Sequence, residues 1–211
     1  MTSATAAQQV YVIDDDEAVR DSIGMLLESA DLPFRSFSSA DEFFAQLDHN
    51  QRGCLVLDIR MPGMTGLQLQ QRLAEVGSTL PVIFITGHGD VPMAVEAMRQ
   101  GALDFLRKPV NESNFIERIQ HAFDIESGKW HQKHDREQQL AQIASLTERE
   151  REVFDLVAEG LANKAIAGRL GISERTVEVH RAQVMKKLGA RTLAQLVRIH
   201  LQAEISGFES K

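Results

Sequence analysis

Gly53-Cys-Leu-Val-Leu-Asp-Ile-Arg-Met-Pro-Gly-Met-Thr-Gly66 decides how the chain is read. Leu55, Val56 and Leu57 form an apolar run with no polar alternation, as expected of a strand buried on both faces of a parallel sheet. Asp58 ends the run, and Met61-Pro62-Gly63 turns the chain. An aspartate is thereby delivered to the carboxyl edge of a sheet, where open α/β folds place their ligands. Alone, Asp58 reads as a loop aspartate capping the next helix. Residues elsewhere change that reading.

Strands are predicted at Gln9–Ile13, Phe34–Phe37, Leu55–Asp58, Pro81–Thr86 and Asp104–Leu106. Helical spacing is found over Ala18–Ala30, Ala40–Leu47, Gly66–Glu75, Val91–Arg99 and from Asn114 onward. Five strands alternating with helices predict an α/β fold, a five-stranded doubly wound parallel sheet over residues 8–123. Right-handed crossovers bring Asp14-Asp15-Asp16, Asp58, Thr86 and Lys108 to one edge.

Residues 124–145 are polar and Gln-rich and read as a linker, either a continuation of the preceding helix or a flexible coil. Residues 146–205 predict an all-α unit of four helices. Thr147 and Glu150 form a capping box, and Asn163 and Ser173 are placed to cap the next two helices. Leu193, Leu196, Val197 and Leu201 form the apolar stripe of the last helix. Two short helices joined at Gly171 suggest a helix-turn-helix.

The 211 residues suffice for two small domains, and 43% hydrophobic content for packed cores. No apolar run is long enough to span a bilayer. The first residues lack the basic and apolar regions of a signal peptide, and Cys54 is the single cysteine. A cytoplasmic location with no membrane partner is expected. The net charge of −7 is uneven. Residues 1–123 hold 9 Lys and Arg against 17 Asp and Glu, whereas residues 146–211 hold 11 against 9. Within the latter, 163–188 carries Lys164, Arg169, Arg175, Arg181, Lys186 and Lys187 against Glu174 and Glu178. The two parts are therefore expected to meet different partners.

Asp14, Asp15 and Asp58 are expected to converge. Two unit charges ~4 Å apart repel by about 4 kcal/mol at an effective dielectric near 20, so such a cluster calls for a cation. Hard oxygen ligands favour Mg²⁺, with Mn²⁺ able to substitute. Carboxylates, Mg²⁺, the Lys108 ammonium and the Thr86 hydroxyl together suit handling of a phosphoryl group, one carboxylate acting as nucleophile. On the helix from Glu174 to Leu188, Val177, Val184 and Leu188 point inward, with Arg181 near them. Arg175, Val179, Ala182 and Lys186 lie opposite, beside Glu178, forming a slim basic face suited to a DNA major groove. Arg175, Lys186, Lys187 and Lys164 are phosphate candidates.

Val-Ile-Asp-Asp-Asp-Glu-Ala-Val-Arg (12–20), Leu-Asp-Ile-Arg-Met-Pro-Gly-Met-Thr-Gly (57–66), Ile-Thr-Gly-His-Gly-Asp (85–90) and Asp-Phe-Leu-Arg-Lys-Pro (104–109) resemble the CheY-like receiver domain of two-component response regulators. The resemblance implies Asp58 as phospho-acceptor, supplied by a sensor histidine kinase. It implies Mg²⁺ held by Asp15, Asp58 and the backbone carbonyl of Arg60, with Asp14 acting through water. It makes Thr86 and Phe105 a switch pair and Lys108 the phosphate-contacting lysine. Leu-Thr-Glu-Arg-Glu-Arg-Glu-Val (146–153), Gly-Leu-Ala-Asn-Lys-Ala-Ile-Ala (160–167) and Ile-Ser-Glu-Arg-Thr-Val-Glu-Val-His-Arg (172–181) are similar to the LuxR-type DNA-binding domain. By that analogy Thr176, Glu178, Val179, His180 and Arg181 also lie near DNA.

Together the two resemblances imply a response regulator of the NarL/FixJ class. It would not be an enzyme beyond its own phosphotransfer and dephosphorylation. Phosphorylation would promote a homodimer on promoter DNA and control transcription, with RNA polymerase as a further partner and activation as the expected output. Two rivals stay open on the residues: an aspartate-based phosphohydrolase, and a DNA-binding protein whose receiver no longer accepts phosphate.

Overall fold

The computed structural model describes residues 7–48, 50–87 and 91–208, the last five of these by backbone alone. His88, Gly89 and Asp90 of the 85–90 motif, and the first residues considered for a signal peptide, lie outside the described residues.

The first unit orders β1 (Gln9–Ile13), α1 (Glu17–Ser29), β2 (Phe34–Phe37), α2 (Ala40–Ala45), β3 (Gly53–Asp58), α3 (Gly66–Glu75), β4 (Val82–Thr86), α4 (Val91–Arg99) and β5 (Asp104–Arg107). All strand pairs are parallel, in the order β2-β1-β3-β4-β5. This is the doubly wound arrangement whose switch point lies between β1 and β3.

The apolar run at 54–57 splits by alternation. Leu55 and Leu57 join Tyr11, Ile13 and Phe84 on one face, against Phe43, Leu69 and Leu73. Cys54 and Val56 join Val10, Val12, Ile83 and Ile85 on the other, against Ile23, Leu27, Phe115 and Ile119. Continuous hydrophobicity was thus the right signature of a strand covered on both sides. Burial pushes the Cys54 thiol far up and leaves it inert. Gly66 lets α3 begin directly against the end of β3, since a Cβ there would stand 2.2 Å from the Asp58 carbonyl oxygen.

Helix α5 (Glu112–Ala144) is continuous over 33 residues, so residues 124–144 are helical. The compact units divide between His131 and Gln132. The sequence reading places 124–131 in a linker, but this stretch is fastened to the sheet unit. Glu126 is completely buried, and its two carboxylate oxygens accept from Nε and Nη2 on one edge of the Arg52 guanidinium, at 3.2 and 3.1 Å. Gln8 donates to Glu126 Oε2 at 2.7 Å, and Arg52 stacks over Trp130. Polar composition gave no hint of this, because the polar residues are buried against each other.

The second unit contains α6 (Glu148–Ala158), α7 (Asn163–Leu170), α8 (Glu174–Lys187) and α9 (Leu193–Phe208). Its core gathers Val153, Phe154, Val157, Ile166, Val177, Val184, Leu188 and Leu196, with Ile143 from the end of α5. The Thr147–Glu150 capping box forms, and Ser173 caps α8. Gly171, at φ +67°, supplies the left-handed residue of the turn between α7 and α8. Two local expectations fail. Asn163 does not cap α7; Ala162 holds that position without a side-chain bond. The α9 stripe is rotated: Leu193 and Leu201 are exposed, while Leu196, Ile199 and Ala203 pack inward.

Candidate functional site

Parallel pairing sets the ends of β1 and β3 side by side, since Ile13 pairs with Leu57. Asp14 and Asp58 follow from that register and are 2% and 7% exposed. Lys108 follows β5 and reaches both, donating from Nζ to Asp14 Oδ2 at 2.6 Å and to Asp58 Oδ1 at 2.9 Å. The remaining oxygens are also engaged. Asp14 Oδ1 accepts from the Asp16 backbone N–H at 3.0 Å, and Asp58 Oδ2 accepts from the Arg60 N–H at 2.7 Å. Arg20 donates to the Asp14 carbonyl at 2.8 Å, a contact that sequence spacing did not reveal.

Burial holds the Asp58 carboxyl above the usual carboxylate range. The Lys108 ammonium and the Arg60 N–H pull it down, while the Asp14 charge opposes them. Burial works against the Lys108 ammonium, but its hydrogen bonds to Asp14 and Asp58 outweigh that and raise its pKa. Two carboxylates thus share one cation in a partly desolvated site at the strand ends.

Asp15 does not complete a three-carboxylate cluster. It is exposed, and no group of three His, Cys, Asp or Glu side chains at metal-binding spacing occurs among the described residues. The Asp14 side chain turns into the sheet edge, where Lys108 supplies the charge. Adjacent residues leaving an extended strand point to opposite sides, which sends Asp15 outward. Asp16 is the N-cap of α1, its carboxylate accepting from Ala18 N–H at 2.9 Å.

Thr86 ends β4 in a buried position, and its carbonyl accepts from the Lys108 N–H at 2.8 Å. Phe105 pairs with Phe84 across β4 and β5. Thr86 lies two residues beyond Phe84, so Thr86 and Phe105 occupy one face of the sheet as diagonal neighbours. Phe105 is half-buried against the core on that face.

In the second unit, α8 buries Val177, Val184 and Leu188 as expected. Arg175, Glu178, Val179, Ala182 and Lys186 are exposed; Thr176, His180 and Arg181 are half-exposed. Lys164 is exposed in the first turn of α7. Arg181 donates to Asn163 Oδ1 at 2.6 Å, which accounts for its place between core and surface. Lys187, a phosphate candidate by its sequence position, is engaged inside the unit. It donates to the buried Glu150 at 2.6 Å, and this bond, with the Thr147 N–H, brings the Glu150 carboxyl down to about 2.

The sheet unit and the helical unit each match a known family. Residues 10–120 match the response regulator receiver domain, and residues 144–200 match the bacterial regulatory proteins of the luxR family. The chain therefore belongs to the response regulators, as a receiver joined to a LuxR-type DNA-binding helix-turn-helix in the NarL/FixJ class. Among individual proteins it resembles the transcriptional regulatory protein FixJ of Azorhizobium caulinodans, with 46% identity covering 93% of each chain. It is 44% identical to the C4-dicarboxylate transport transcriptional regulatory protein DctR of Rhodobacter capsulatus, over 90% of this chain and 98% of that one. The solved structure of response regulator StyR superposes with a TM-score of 0.84 at 42% identity, covering 93% of this chain and all of that one. No described helix is long and apolar enough to cross a membrane.

Proposed function

We propose that Asp58 accepts a phosphoryl group from a phosphohistidine of a sensor histidine kinase, and that this switches DNA binding by the helical unit. The carrying observation is the Lys108 ammonium set between Asp14 and Asp58 at 2.6 and 2.9 Å. In the transfer, an Asp58 carboxylate oxygen bonds to phosphorus, and the phosphorus–nitrogen bond to the kinase imidazole breaks. The products are an acyl phosphate and a free imidazole. Lys108, already in place, neutralises charge on the transferred oxygens. A hollow of about 520 Å³ beside Lys108, lined by Val19, Ser22, Leu26, Pro109 and Val110 among others, offers the kinase an apolar foothold.

The donor set suits Mg²⁺ or Mn²⁺: all-oxygen ligands, and two buried carboxylates against a single ammonium. Asp58 and the Arg60 carbonyl would hold the ion, joined by Asp15 once its exposed carboxylate turned inward, with Asp14 acting through water. Bound there, it would offset the negative charge of the incoming phosphoryl group.

A phosphoryl group adds roughly −1.5 to −2 charge and three acceptor oxygens. The Thr86 hydroxyl turns toward it, and Phe105 follows into the space released. Val91, Val95 and Met98 on α4 are 71%, 45% and 48% exposed at one-turn spacing, an apolar face available for pairing two receivers. Pairing then presents two α8 helices to promoter DNA, linking two weak half-site contacts. Transcription activation through RNA polymerase follows as the output.

The test is intact mass and oligomeric size after incubation with a small-molecule phosphodonor, with and without Mg²⁺. A Mg²⁺-dependent adduct, absent from Asp58→Asn and accompanied by dimer formation, is expected. An adduct without a size change would move the output from dimerisation to release of the helical unit. No adduct from either the phosphodonor or a cognate kinase would sink the reading.

A further inference from the structure

Three basic side chains of the helix-turn-helix segment have partners of different kinds. Lys187 donates to the Glu150 carboxylate at 2.6 Å, and Arg169 pairs with the Glu159 carboxylate at 3.3 Å. Arg181 instead donates to the side-chain amide oxygen of Asn163 at 2.6 Å. A carboxylate cancels the charge it holds. A neutral amide fixes the guanidinium and leaves its full charge, with four further N–H donors to offer.

The positions of the two residues fit this use. Arg181 stands on α8 between the buried Val177 and Val184 on one side and the exposed Ala182 on the other. Unheld, a long half-exposed side chain there would sample many rotamers, and each would have to be given up on binding. Asn163 lies in the first turn of α7, where its side chain is not used as a cap. It acts across the turn, on α8.

We propose that Asn163 is a positioning residue for DNA binding: its amide oxygen holds the Arg181 guanidinium ready for a backbone phosphate without cancelling its charge. The inference rests on the reading of α8 as the DNA-facing helix. It adds to that reading a residue from the preceding helix which itself has no need to touch DNA.

The substitution that separates positioning from plain structure is Asn163→Asp. It keeps an oxygen for Arg181 and so keeps the local fold, but it converts a held cation into an ion pair. A structural role predicts normal DNA binding by this variant; a positioning role predicts worse binding than Asn163→Ala. The probe is a mixed-sequence DNA duplex of about 30 base pairs, titrated with the full-length protein between about 50 and 200 mM salt. Arg181→Ala is expected to weaken binding about fivefold and to reduce the salt slope by about 0.9, one phosphate's worth. Asn163→Ala should weaken it about threefold, and Asn163→Asp about fivefold, as much as the loss of Arg181, with the reduced slope. In an Arg181→Ala background neither change at 163 should alter affinity by more than about twofold. Thermal unfolding of each variant checks that the fold is retained.

Arg181→Ala binding as tightly as wild type would overturn the proposal. So would loss from Asn163→Asp that persists in the Arg181→Ala background, since the new carboxylate would then repel DNA directly. Arg175→Ala combined with Lys186→Ala reports on the helix face itself. If that pair leaves binding intact, it is the DNA-facing reading of α8 that has failed, not the role of Asn163 alone.

Discussion

Lys108 donates to the buried Asp58 carboxylate at 2.9 Å at the edge of the sheet, and Lys187 donates to the buried Glu150 carboxylate at 2.6 Å in the helical unit. Their carboxylates respond in opposite directions. Glu150 receives the Lys187 ammonium and the Thr147 N–H on one oxygen and falls to about 2. Asp58 shares its lysine with Asp14, lies buried, and rises above its ordinary value. The first pair is saturated, and its charge is spent on holding α6 to α8. The second is under-compensated, in keeping with the proposed role of Asp58 as acceptor of a charged group, whereas the first ties two helices together.

The largest expected effect sharpens this contrast. Lys108→Met should lower the rate of phosphoryl uptake by about 10²–10³, the usual loss when a charge-stabilising donor is removed. Receiver stability should also fall, by about 2 kcal/mol, because two buried carboxylates are left without their shared cation. Mass-resolved uptake kinetics beside denaturant unfolding would measure both. A variant that unfolds would make Lys108 a structural tie of the Lys187 kind, and the contrast would collapse.

The converse substitution, Lys187→Met, should leave phosphoryl uptake unchanged and destabilise the helical unit by about 2 kcal/mol. That is below the full cost of orphaning a buried charge, because Lys187 is one-third exposed. The pH dependence carries the sign. The folded Glu150 value of about 2 lies below the ordinary glutamate value. Its contribution is therefore complete above about pH 4.3 and is lost as pH falls toward about 2. Glu150→Gln should remove that part of the acid slope in thermal unfolding. An unchanged slope would mean that the pair does not bear on folding.

The contrast also marks what could be read before any coordinates. The 54–57 run, the aspartates at strand ends and the capping box at Thr147 rest on local periodicity and chain order, and the two units reproduce them. The meeting of Asp14, Asp58 and Lys108 was legible because crossover handedness brings strand ends to one edge. Arg52 with Glu126, Lys187 with Glu150, and Arg181 with Asn163 were not. Each joins residues 18 to 74 positions apart, and each is a polar pair that composition places on the surface. Periodicity finds apolar faces; it has no signal for a charge buried by its partner. The rotation of the α9 stripe has the same origin. His200 faces inward because it meets Asp155 at 3.1 Å and the Phe154 ring, and a hydrophobic pattern gives it no weight.

The smallest effect is the sharpest test of the under-compensated pair. Because burial raises the Asp58 carboxyl, the folded protein holds its proton more tightly than the unfolded chain does. Protonated Asp58 is therefore the more stable form, and its advantage is lost as pH rises through the folded value. At neutral pH the ionised group costs stability, so Asp58→Asn should stabilise the receiver, by up to about 1 kcal/mol. In acid, below the folded value, the native carboxyl holds its proton, and the two proteins should converge. Denaturant unfolding at neutral and at acid pH decides the matter. Destabilisation by Asp58→Asn at neutral pH would mean that the hydrogen bond from Lys108 outweighs burial and the Asp14 charge. Asp58 would then be a satisfied ion pair like Glu150, with stability rather than reactivity as its reason for being buried.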